Sequence, residues 1–407
     1  MTAGENGAMT PIAKAAEKIA AQAQIVPSIP AGSQRIAWSI RDLPELLLSV
    51  GSVRPLLVID TAAVQASGVR PELDELLSPA EVRLFDAFTP NPRCEEVAEA
   101  ILAAAGHNAD AVIAIGGGSC LDVAKVAAIG ARAPEHAHAI ARGEAPPPQD
   151  TLPIIAAPTT AGTGSEATHF AAVYIGERKV SIGDPRMRPG SIILDVALHL
   201  SMPAILAAQT GCDALGQALE SIWAVGSTSA SIQSATAAAD RIIPSLAPSV
   251  TTGEINARRE MMVGAHLAGR AIDVSKTTAA HALSYQLTQR FGIAHGHAVA
   301  LTLGHIGAWN AGVSVDDCID HRGPADVRDR VSLAASLLGV SPEGMPGAVR
   351  ALLSKIGLPA TLKEAGVDSG AIADMVSRVD PVRLSNNPRQ FTSEELEALL
   401  HRAYDGD

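Results

Sequence analysis

The first half of the chain alternates short apolar runs with segments of helical periodicity. Each apolar run ends at a turn signal, as a buried parallel strand does; the runs are 55–60, 111–119 and 153–160. Between them, segments 94–110 and 120–133 carry Ala, Val, Ile and Leu at helical spacing. This alternation predicts an α/β N-terminal domain with a doubly wound parallel sheet, the architecture that binds dinucleotides.

The pattern changes near residue 200 to long Ala-rich helical segments with little strand character. Segment 201–223 predicts a helix with Ser201 as N-cap and Pro203 in its first turn. Further predicted helices are 229–248, 254–270, 276–290, 325–339 and 393–404. We therefore expect an all-α helical C-terminal domain, and divide the chain into a flexible N-terminal extension at 1–33, an α/β domain at 34–198 and a helical domain at 199–407.

Composition narrows the class of protein. The 407 residues carry a net charge of −12, which argues against nucleic acid and anionic membrane surfaces as partners. No apolar run approaches the roughly 18 residues that span a bilayer, and the N-terminus has no basic segment followed by an apolar one. The four cysteines lack paired spacing, which indicates reduced thiols. We expect a cytoplasmic protein without membrane or nucleic-acid partners.

Two Gly-rich turns are candidates for dinucleotide binding. Gly116, Gly117, Gly118 and Ser119 stand between a predicted strand and a predicted helix. Glycines there let the backbone approach a pyrophosphate, and the helix N-terminus presents free N–H groups to it. The fingerprint GxGxxG is absent, and an ordinary tight turn explains the three glycines equally well.

The second turn, 158–168, reads PTTAGTGSEAT and carries the hydroxyls of Thr159, Thr160 and Thr163. These hydroxyls suit phosphate oxygens or a nicotinamide carboxamide, although a Ser/Thr-rich turn needs no ligand. Asp60 ends the first strand, where its carboxylate would accept from a ribose hydroxyl and repel a 2′-phosphate. We therefore favour NAD(H) over NADP(H), while Asp is also a common turn residue.

Two histidines suggest a metal site. His281 lies in a predicted helix, and His295 follows Gly292, where that helix should stop. A helix followed by a turn can bring both rings to one point, but a metal site also needs a carboxylate. Asp213 supplies one, with Gln217 and Glu220 at i+4 and i+7 on the same helical face.

The order of the motifs resembles one family. They are NP at 91–92, GGGS-x-x-D-x-AK at 116–125, PTTAGTGSE at 158–166, ILD at 193–195, MPAILAAQTGCDAL at 202–215 and AHG at 294–296. Over about residues 35–405 the chain resembles the iron-containing, group III alcohol dehydrogenases, which share their architecture with dehydroquinate synthase. The resemblance implies an NAD(P)-binding α/β domain, a helical domain, one divalent metal between them, and a homodimer.

The resemblance also implies roles for particular residues. Asp213, His281 and His295 match metal ligands, for Fe²⁺ or alternatively Zn²⁺, and Gln217 stands where the family usually has a further His. Many members have another His at the position of Tyr285, so Tyr285, His297 or a metal-bound water would deliver the proton. The matching cofactor residues are Asp60, Gly116, Gly117, Gly118, Ser119, Asp122, Thr159, Thr160, Thr163 and Lys179.

The residues before His281 point to the substrate. Arg270, Lys276 and Thr277 bring cations and a hydroxyl close to a metal ligand, as an anion pocket requires. A solvated helix start capped by Ser275 explains the same residues. The strings SKTTAAHALSY, FGIAHGHAVALTLG and RLSNNPRQFT also resemble the phosphonoacetaldehyde reductase branch, which implies reduction of phosphonoacetaldehyde to 2-hydroxyethylphosphonate.

Three other functions stay open at this point. A general short-chain alcohol dehydrogenase of the same family would act on small aldehydes and alcohols without an anionic group. A lyase of the dehydroquinate synthase type would use NAD and a metal but transfer hydride only transiently. A non-catalytic relative would have lost its metal through the change to Gln217.

Overall fold

The structure is a computed structural model that describes residues 34–407. The N-terminal extension predicted at 1–33 lies outside the described residues. The strands are β1 (Arg35–Ala37), β2 (Pro55–Ile59), β3 (Arg83–Phe85), β4 (Ala111–Gly116), β5 (Ile154–Pro158), β6 (Phe170–Ile175), β7 (Arg178–Gly183) and β8 (Ser191–Ile193).

The α-helices fall into two groups. The first half contains α1 (Leu43–Ser49), α2 (Thr61–Ser67), α3 (Arg70–Leu77), α4 (Cys94–Gly106), α5 (Gly118–Gly130) and α6 (Ala137–Ala141). The second half contains α7 (Ala204–Trp223), α8 (Ser229–Thr251), α9 (Ile255–Ser275), α10 (Ala279–Phe291), α11 (His295–Ala311), α12 (Pro324–Leu337), α13 (Met345–Lys355), α14 (Ile372–Ser377), α15 (Pro381–Leu384) and α16 (Ser393–Asp405).

The predicted α/β architecture is confirmed. Six parallel strands form one sheet in the order β1-β8-β5-β4-β2-β3, and β6 and β7 form a separate antiparallel hairpin. Every residue of β2 is buried because helices cover both faces of the sheet. Leu56 and Val58 pack into a core with α4 and α5, whereas Leu57 and Ile59 pack into another with α1 and α3.

The strand order places a ligand crevice at β2 and β4. From β2 the chain continues to β3 on one side, while β4 pairs with β2 on the other. Ligands bind outside the carboxyl ends of the strands at such a point. Asp60 and the turn 116–119 follow these two strands, and the Asp60 N–H donates to the Ile115 carbonyl at 2.9 Å.

The helical half is confirmed, with corrections at its helix ends. The helix predicted from Ser201 begins at Ala204, with Pro203 as its N-cap residue. The helix predicted at 254–270 continues to Ser275, so Ser275 ends α9 instead of capping the start of α10.

Helix α11 was not predicted. Most of its residues are buried, from Gly296 to Asn310, so it is apolar nearly all round and has no amphipathic period to detect. None of the helices within 34–407 has the length and apolar character needed to cross a membrane.

Candidate active site

A cleft of about 650 Å³ runs between the α/β half and the helical half. One wall consists of the turn after β5 and the β6–β7 hairpin. The other consists of α7, the segment joining α9 to α10, α10 itself, the start of α11, and residues 382–386. Residues more than 200 positions apart in sequence therefore face one another across it.

Three predicted ligands meet at one end of this cleft. The ligand atoms of Asp213 on α7, His281 on α10 and His295 on α11 all lie within 4.8 Å of one another. Nε2 of His281 is 3.2 Å from Oδ1 of Asp213, and Nε2 of His295 is 3.9 Å from the same oxygen. Asp213 and His281 are buried, whereas the His295 side chain is 32% exposed and opens to the cleft.

Each of the two histidines has a hydrogen-bond partner at Nδ1, on the side of the ring away from Asp213. Nδ1 of His281 donates to the buried Glu220 carboxylate. Ser284 donates its hydroxyl proton to the His281 carbonyl at 2.7 Å, so its oxygen accepts from Nδ1 of His295 at 3.1 Å. Both rings therefore direct Nε2 toward Asp213, the arrangement by which outer partners orient metal ligands.

The two rings have opposite pKa shifts. Burial opposes the charged form of His281, but Glu220 and Asp213 outweigh it and raise its pKa to about 10, so His281 must release its Nε2 proton to ligate a metal. Burial and the positive charge of Lys179 lower the pKa of His295 to about 3. His295 is thus neutral over the physiological range, as a ligand must be.

Gln217 lies beside this group with its side-chain amide oxygen unpaired. It is 3% exposed, and its Nε2 donates to the Thr163 carbonyl at 3.2 Å. Its Oε1 is buried and has no hydrogen-bond partner. A buried carbonyl oxygen without a donor is costly, and a hard divalent cation would satisfy it. The donor set of one carboxylate, two imidazoles and one amide oxygen therefore fits a divalent metal.

The two Gly-rich turns predicted for the cofactor pack on each other. A Cβ atom added at Gly117 would lie 3.3 Å from the Thr160 methyl, and one at Gly118 would lie 2.7 Å from the Thr163 methyl. Glycine is needed at Gly118 because there is no room for a side chain. The α5 N-terminus begins at this contact, with its N–H groups at the end of the sheet.

The remaining cofactor candidates differ in accessibility. Asp60 sits directly beside the turn, since a Cβ added at Gly116 would lie 3.1 Å from the Cβ of Asp60. The Asp60 carboxylate accepts from the Ala63 N–H at 3.0 Å as the N-cap of α2. The Thr159 hydroxyl is buried without a partner, while Thr160 and Ser119 are partly exposed.

Asp122 lines the cleft but also holds its wall together. Its carboxylate accepts from the Ser165 hydroxyl at 2.6 Å and from the Ala172 N–H at 2.8 Å, which joins the turn to the hairpin. Lys125, one turn further on α5, is buried and donates to Ser165, Thr168 and the Phe170 carbonyl. Burial lowers the pKa of Lys125 to about 8.

Tyr285 occupies the cleft wall next to the metal ligands. Its ring stacks on His295 with 5.6 Å between centroids, and its hydroxyl accepts from Arg383 at 3.2 Å. The Lys179 ammonium lies 4.7 Å from the ring centroid. Burial opposes ionisation of Tyr285, but Lys179 and Arg383 outweigh it and lower its pKa.

Lys276 lies on the cleft wall in a strained conformation. Its φ of 59° and ψ of 179° belong to a region that is essentially restricted to glycine. Asn386 holds the backbone on both sides, because its Nδ2 donates to the carbonyls of Ser275 at 2.9 Å and Thr277 at 2.8 Å. Burial lowers the pKa of Lys276, and Asp273 partly offsets this. Strain maintained at a cleft residue suggests a function.

Of the residues predicted for substrate binding and proton delivery, two do not line the cleft. His297 points into the helical half, where its Nε2 lies 2.7 Å from the Pro359 carbonyl oxygen. Arg270 lines a separate cavity of about 190 Å³ together with Arg188 and Asp273. Both predictions assumed that nearness in sequence to a metal ligand means nearness to the site. A helix turns its side chains to different faces, and this separates Arg270 from Lys276 and His297 from His295.

His169 is a cleft residue that the sequence analysis missed. Its Nδ1 lies 2.5 Å from Oδ1 of Asp273, and its Nε2 lies 3.5 Å from the Lys276 ammonium. His169 belongs to the α/β half, whereas Asp273 and Lys276 belong to the end of α9. No sequence spacing joins residues over 100 positions apart, so the contact could not be read from the chain.

A Gly-rich turn at the end of a parallel sheet packs on the turn 158–168, which lines the same cleft as a group of three side chains that could hold a metal ion. That combination is typical of dehydrogenases that pair a nicotinamide cofactor with a divalent metal.

The comparisons with known proteins make the class specific. Residues 36–196 match the family model "Iron-containing alcohol dehydrogenase", and residues 207–404 match "Fe-containing alcohol dehydrogenase family, C-terminal". The chain therefore belongs to the iron-containing alcohol dehydrogenase family. It is an oxidoreductase that acts on alcohols or aldehydes with a nicotinamide cofactor and a divalent metal. Family membership therefore argues against two of the alternatives left open by the sequence, a lyase of the dehydroquinate synthase type and a non-catalytic relative.

Three relatives carry names that bear on substrate. Phosphonoacetaldehyde reductase from Streptomyces viridochromogenes is 35% identical over 309 residues, 72% of this chain and 75% of that protein. Lactaldehyde reductase from Escherichia coli K12 is 30% identical over 87% of this chain and 93% of that protein. Sulfoacetaldehyde reductase from Bifidobacterium kashiwanohense, solved with NAD⁺, is 30% identical with a TM-score of 0.82 over 94% of this chain and all of that one.

Proposed function

We propose that this enzyme reduces a two-carbon aldehyde bearing a tetrahedral oxyanion, phosphonoacetaldehyde in the first place, to the corresponding alcohol. The observation that carries the proposal is the Lys276 ammonium on the wall of the cleft that holds the metal cluster. A strained backbone at Lys276 is retained although Gly would relieve it, which a purely structural lysine does not explain. The product is then 2-hydroxyethylphosphonate.

Sulfoacetaldehyde is the second candidate substrate. Its sulfonate is also tetrahedral, so the same lysine fits it, and the solved relative named above is called a sulfoacetaldehyde reductase. A neutral aldehyde such as lactaldehyde has no negative charge to pair with the Lys276 ammonium. For this reason we place neutral short-chain aldehydes third.

Asp213, His281, His295 and the Gln217 amide oxygen are our proposed metal ligands, with Fe²⁺ first and Zn²⁺ as the alternative. A divalent metal held there would polarise the aldehyde oxygen and stabilise the negative charge that develops on it. Glu220 and Ser284 keep both imidazoles in the ligating tautomer. The proton that completes the alcohol reaches the oxygen from Tyr285 or from water in the open cleft.

For the cofactor, we propose that Gly117, Gly118 and Ser119 hold the pyrophosphate at the α5 N-terminus. Thr159, Thr160 and Thr163 flank the nicotinamide side, and Lys179 lies near the ribose. Asp60, beside the glycine turn, favours NAD(H), because a 2′-phosphate would meet its carboxylate.

The setting of the enzyme is also a proposal. The four cysteines are free thiols, and three of them are buried, which suits the reducing cytoplasm. We also expect a homodimer, which sedimentation would check.

The test is a set of cofactor oxidation assays. We expect wild-type enzyme to oxidise NADH faster than NADPH and to prefer phosphonoacetaldehyde to sulfoacetaldehyde and propanal in kcat/KM. Lys276→Ala should raise KM for both anionic aldehydes by about 10- to 100-fold, the weight of a charge-assisted contact. Lys363→Ala, at an exposed lysine of the helical half, is the control and should leave KM unchanged. An unchanged KM in Lys276→Ala would refute the anion pocket.

A further inference from the structure

His169 and Lys276 form one end of the cleft, the anion end, and the buried carboxylate of Asp273 behind it fixes the tautomer of His169. Asp273 is 7% exposed, and its Oδ1 accepts from the backbone N–H of His169 at 2.8 Å as well as from Nδ1 at 2.5 Å. A carboxylate can only accept here, so Nδ1 carries the proton. Nε2 is therefore the nitrogen that faces the cleft and the Lys276 ammonium.

The other charges around His169 are already paired. Arg188 donates to the second oxygen of Asp273 from the side of the smaller cavity. Asp184, whose N–H donates to the His169 carbonyl, forms an ion pair of 2.7 Å with Arg186. Lys276 also rests 4.4 Å from the Phe170 ring centroid. His169 and Lys276 are thus the two groups at this end that can respond to an anion.

The two other cations on the cleft wall lie at the metal end, beside Tyr285. Lys179 lies 4.7 Å and the Arg383 guanidinium 4.5 Å from the centroid of the Tyr285 ring. Among the cleft-lining residues of 34–407, this leaves Lys276 as the lysine or arginine at the anion end. One ammonium balances a sulfonate, which carries a single charge. A phosphonate has a second ionisable proton that a sulfonate lacks, so its charge lies between about −1 and −2 near neutral pH and reaches −2 when a base takes that proton.

His169 can supply the missing charge. Without an anion, the Nε2 lone pair accepts from the Lys276 ammonium. When a dianion lies beside Nε2, negative charge flanks both nitrogens of the ring, which favours the doubly protonated imidazole. Nε2–H then donates to the anion next to the ammonium, and Asp273 balances the charge from behind.

We propose that His169, positioned by Asp273, is the residue by which the cleft distinguishes a phosphonate dianion from a sulfonate monoanion. Lys276 serves both anions, whereas His169 adds one proton and one hydrogen bond for the dianion alone. This inference rests on the proposed function in that it assumes an anion-binding end of the cleft. It goes further by assigning the selectivity to a residue in the opposite half of the molecule.

The experiment measures binding of methylphosphonate and methanesulfonate to the metal-loaded enzyme with NAD⁺ by calorimetry. In His169→Gln we expect methylphosphonate affinity to fall about 10-fold more than methanesulfonate affinity, because a charge-assisted contact is lost for one anion only. Lys276→Gln should lower the affinity for both anions by similar factors. His136→Gln, at an exposed histidine far along the sequence, is the matched control and should change neither affinity.

The outcomes separate this inference from the proposed function. Equal losses for both anions in His169→Gln, no loss for either, or wild-type enzyme that binds neither would overturn the role of His169. If wild-type enzyme reduces propanal as well as phosphonoacetaldehyde while methylphosphonate still binds through His169, the proposed substrate fails and this assignment holds. If phosphonoacetaldehyde is preferred and His169→Gln keeps that preference, only this assignment fails.

Discussion

At the scale of the residue, Lys276 combines two properties that conflict. Its side chain belongs to the anion end of the cleft, but its backbone has a conformation that suits only glycine. Two hydrogen bonds from Asn386 hold the carbonyls on either side of it. Such a conformation costs about 1–3 kcal/mol, which the surrounding structure must offset. We infer that stability is given up here to direct the ammonium into the cleft.

Replacing Lys276 by Gly and by Ala separates the backbone from the side chain. Both variants lose the ammonium, but only Lys276→Gly relieves the strain. We expect Lys276→Gly to be about 1–2 kcal/mol more stable than Lys276→Ala, after the larger chain entropy of unfolded glycine is subtracted. Urea unfolding of the two variants measures the difference. Equal stability would mean that the backbone at Lys276 is not strained.

At the scale of the element, one close contact joins the cofactor turn to the helical half. Gly164, with φ of 60°, lies against Gly269 of α9, and a Cβ added at either residue would come within 2.5 Å of the other's backbone. The neighbours on the turn are Thr163 and Ser165, both of which line the cleft. The position of α9 therefore sets the position of the turn proposed to bind the nicotinamide.

Gly269→Ala should damage both stability and cofactor binding. The added methyl group has no space that a flexible side chain could vacate, so we expect the free energy of unfolding to fall by about 1–3 kcal/mol. The turn must also shift, which should raise KM for NADH. Gly106→Ala, at a helical glycine with nothing within 4 Å of the added Cβ, is the control. Its stability should stay the same or rise by up to about 1 kcal/mol. If Gly269→Ala keeps the wild-type free energy of unfolding and KM for NADH, the backbone contact between Gly164 and Gly269 can adjust to the added methyl group.

At the scale of the whole molecule, the proposed metal site brings three helices together. Asp213, His281 and His295 come from α7, α10 and α11, and the same cleft is closed by Lys179 and His169 of the α/β half. A ligand that binds only the folded protein stabilises it by mass action. Metal occupancy should thus be visible in global unfolding and not only in activity.

We expect the Tm of chelator-treated enzyme to rise as Fe²⁺ or Zn²⁺ is added, and Asp213→Ala to abolish this rise. Glu220→Gln, which removes the carboxylate behind His281, should require about 10- to 100-fold more metal for the same rise. Glu75→Gln, at an exposed glutamate of α3, should respond like wild type. A Glu220→Gln enzyme with wild-type metal affinity would mean that the His281 tautomer needs no support.

The sequence by itself determined the fold class and the set of candidate ligands. Strand and helix periods recur locally, so β2, β4, β5 and eight of the sixteen α-helices within 34–407 were predictable, whereas the short helices and the uniformly apolar α11 were not. The ligand candidates Asp213, His281 and His295 were also predictable, because a helix face and a helix stop at Gly292 are local features.

The tertiary structure alone decided which polar residues share the cleft. It excluded His297 and Arg270, which are close in sequence to site residues but lie on other helix faces. It brought His169 to Lys276 and left Oε1 of Gln217 without a donor. The physical reason is that periodicity records which face of an element is buried, whereas a site depends on which elements meet, and packing across the two halves decides that.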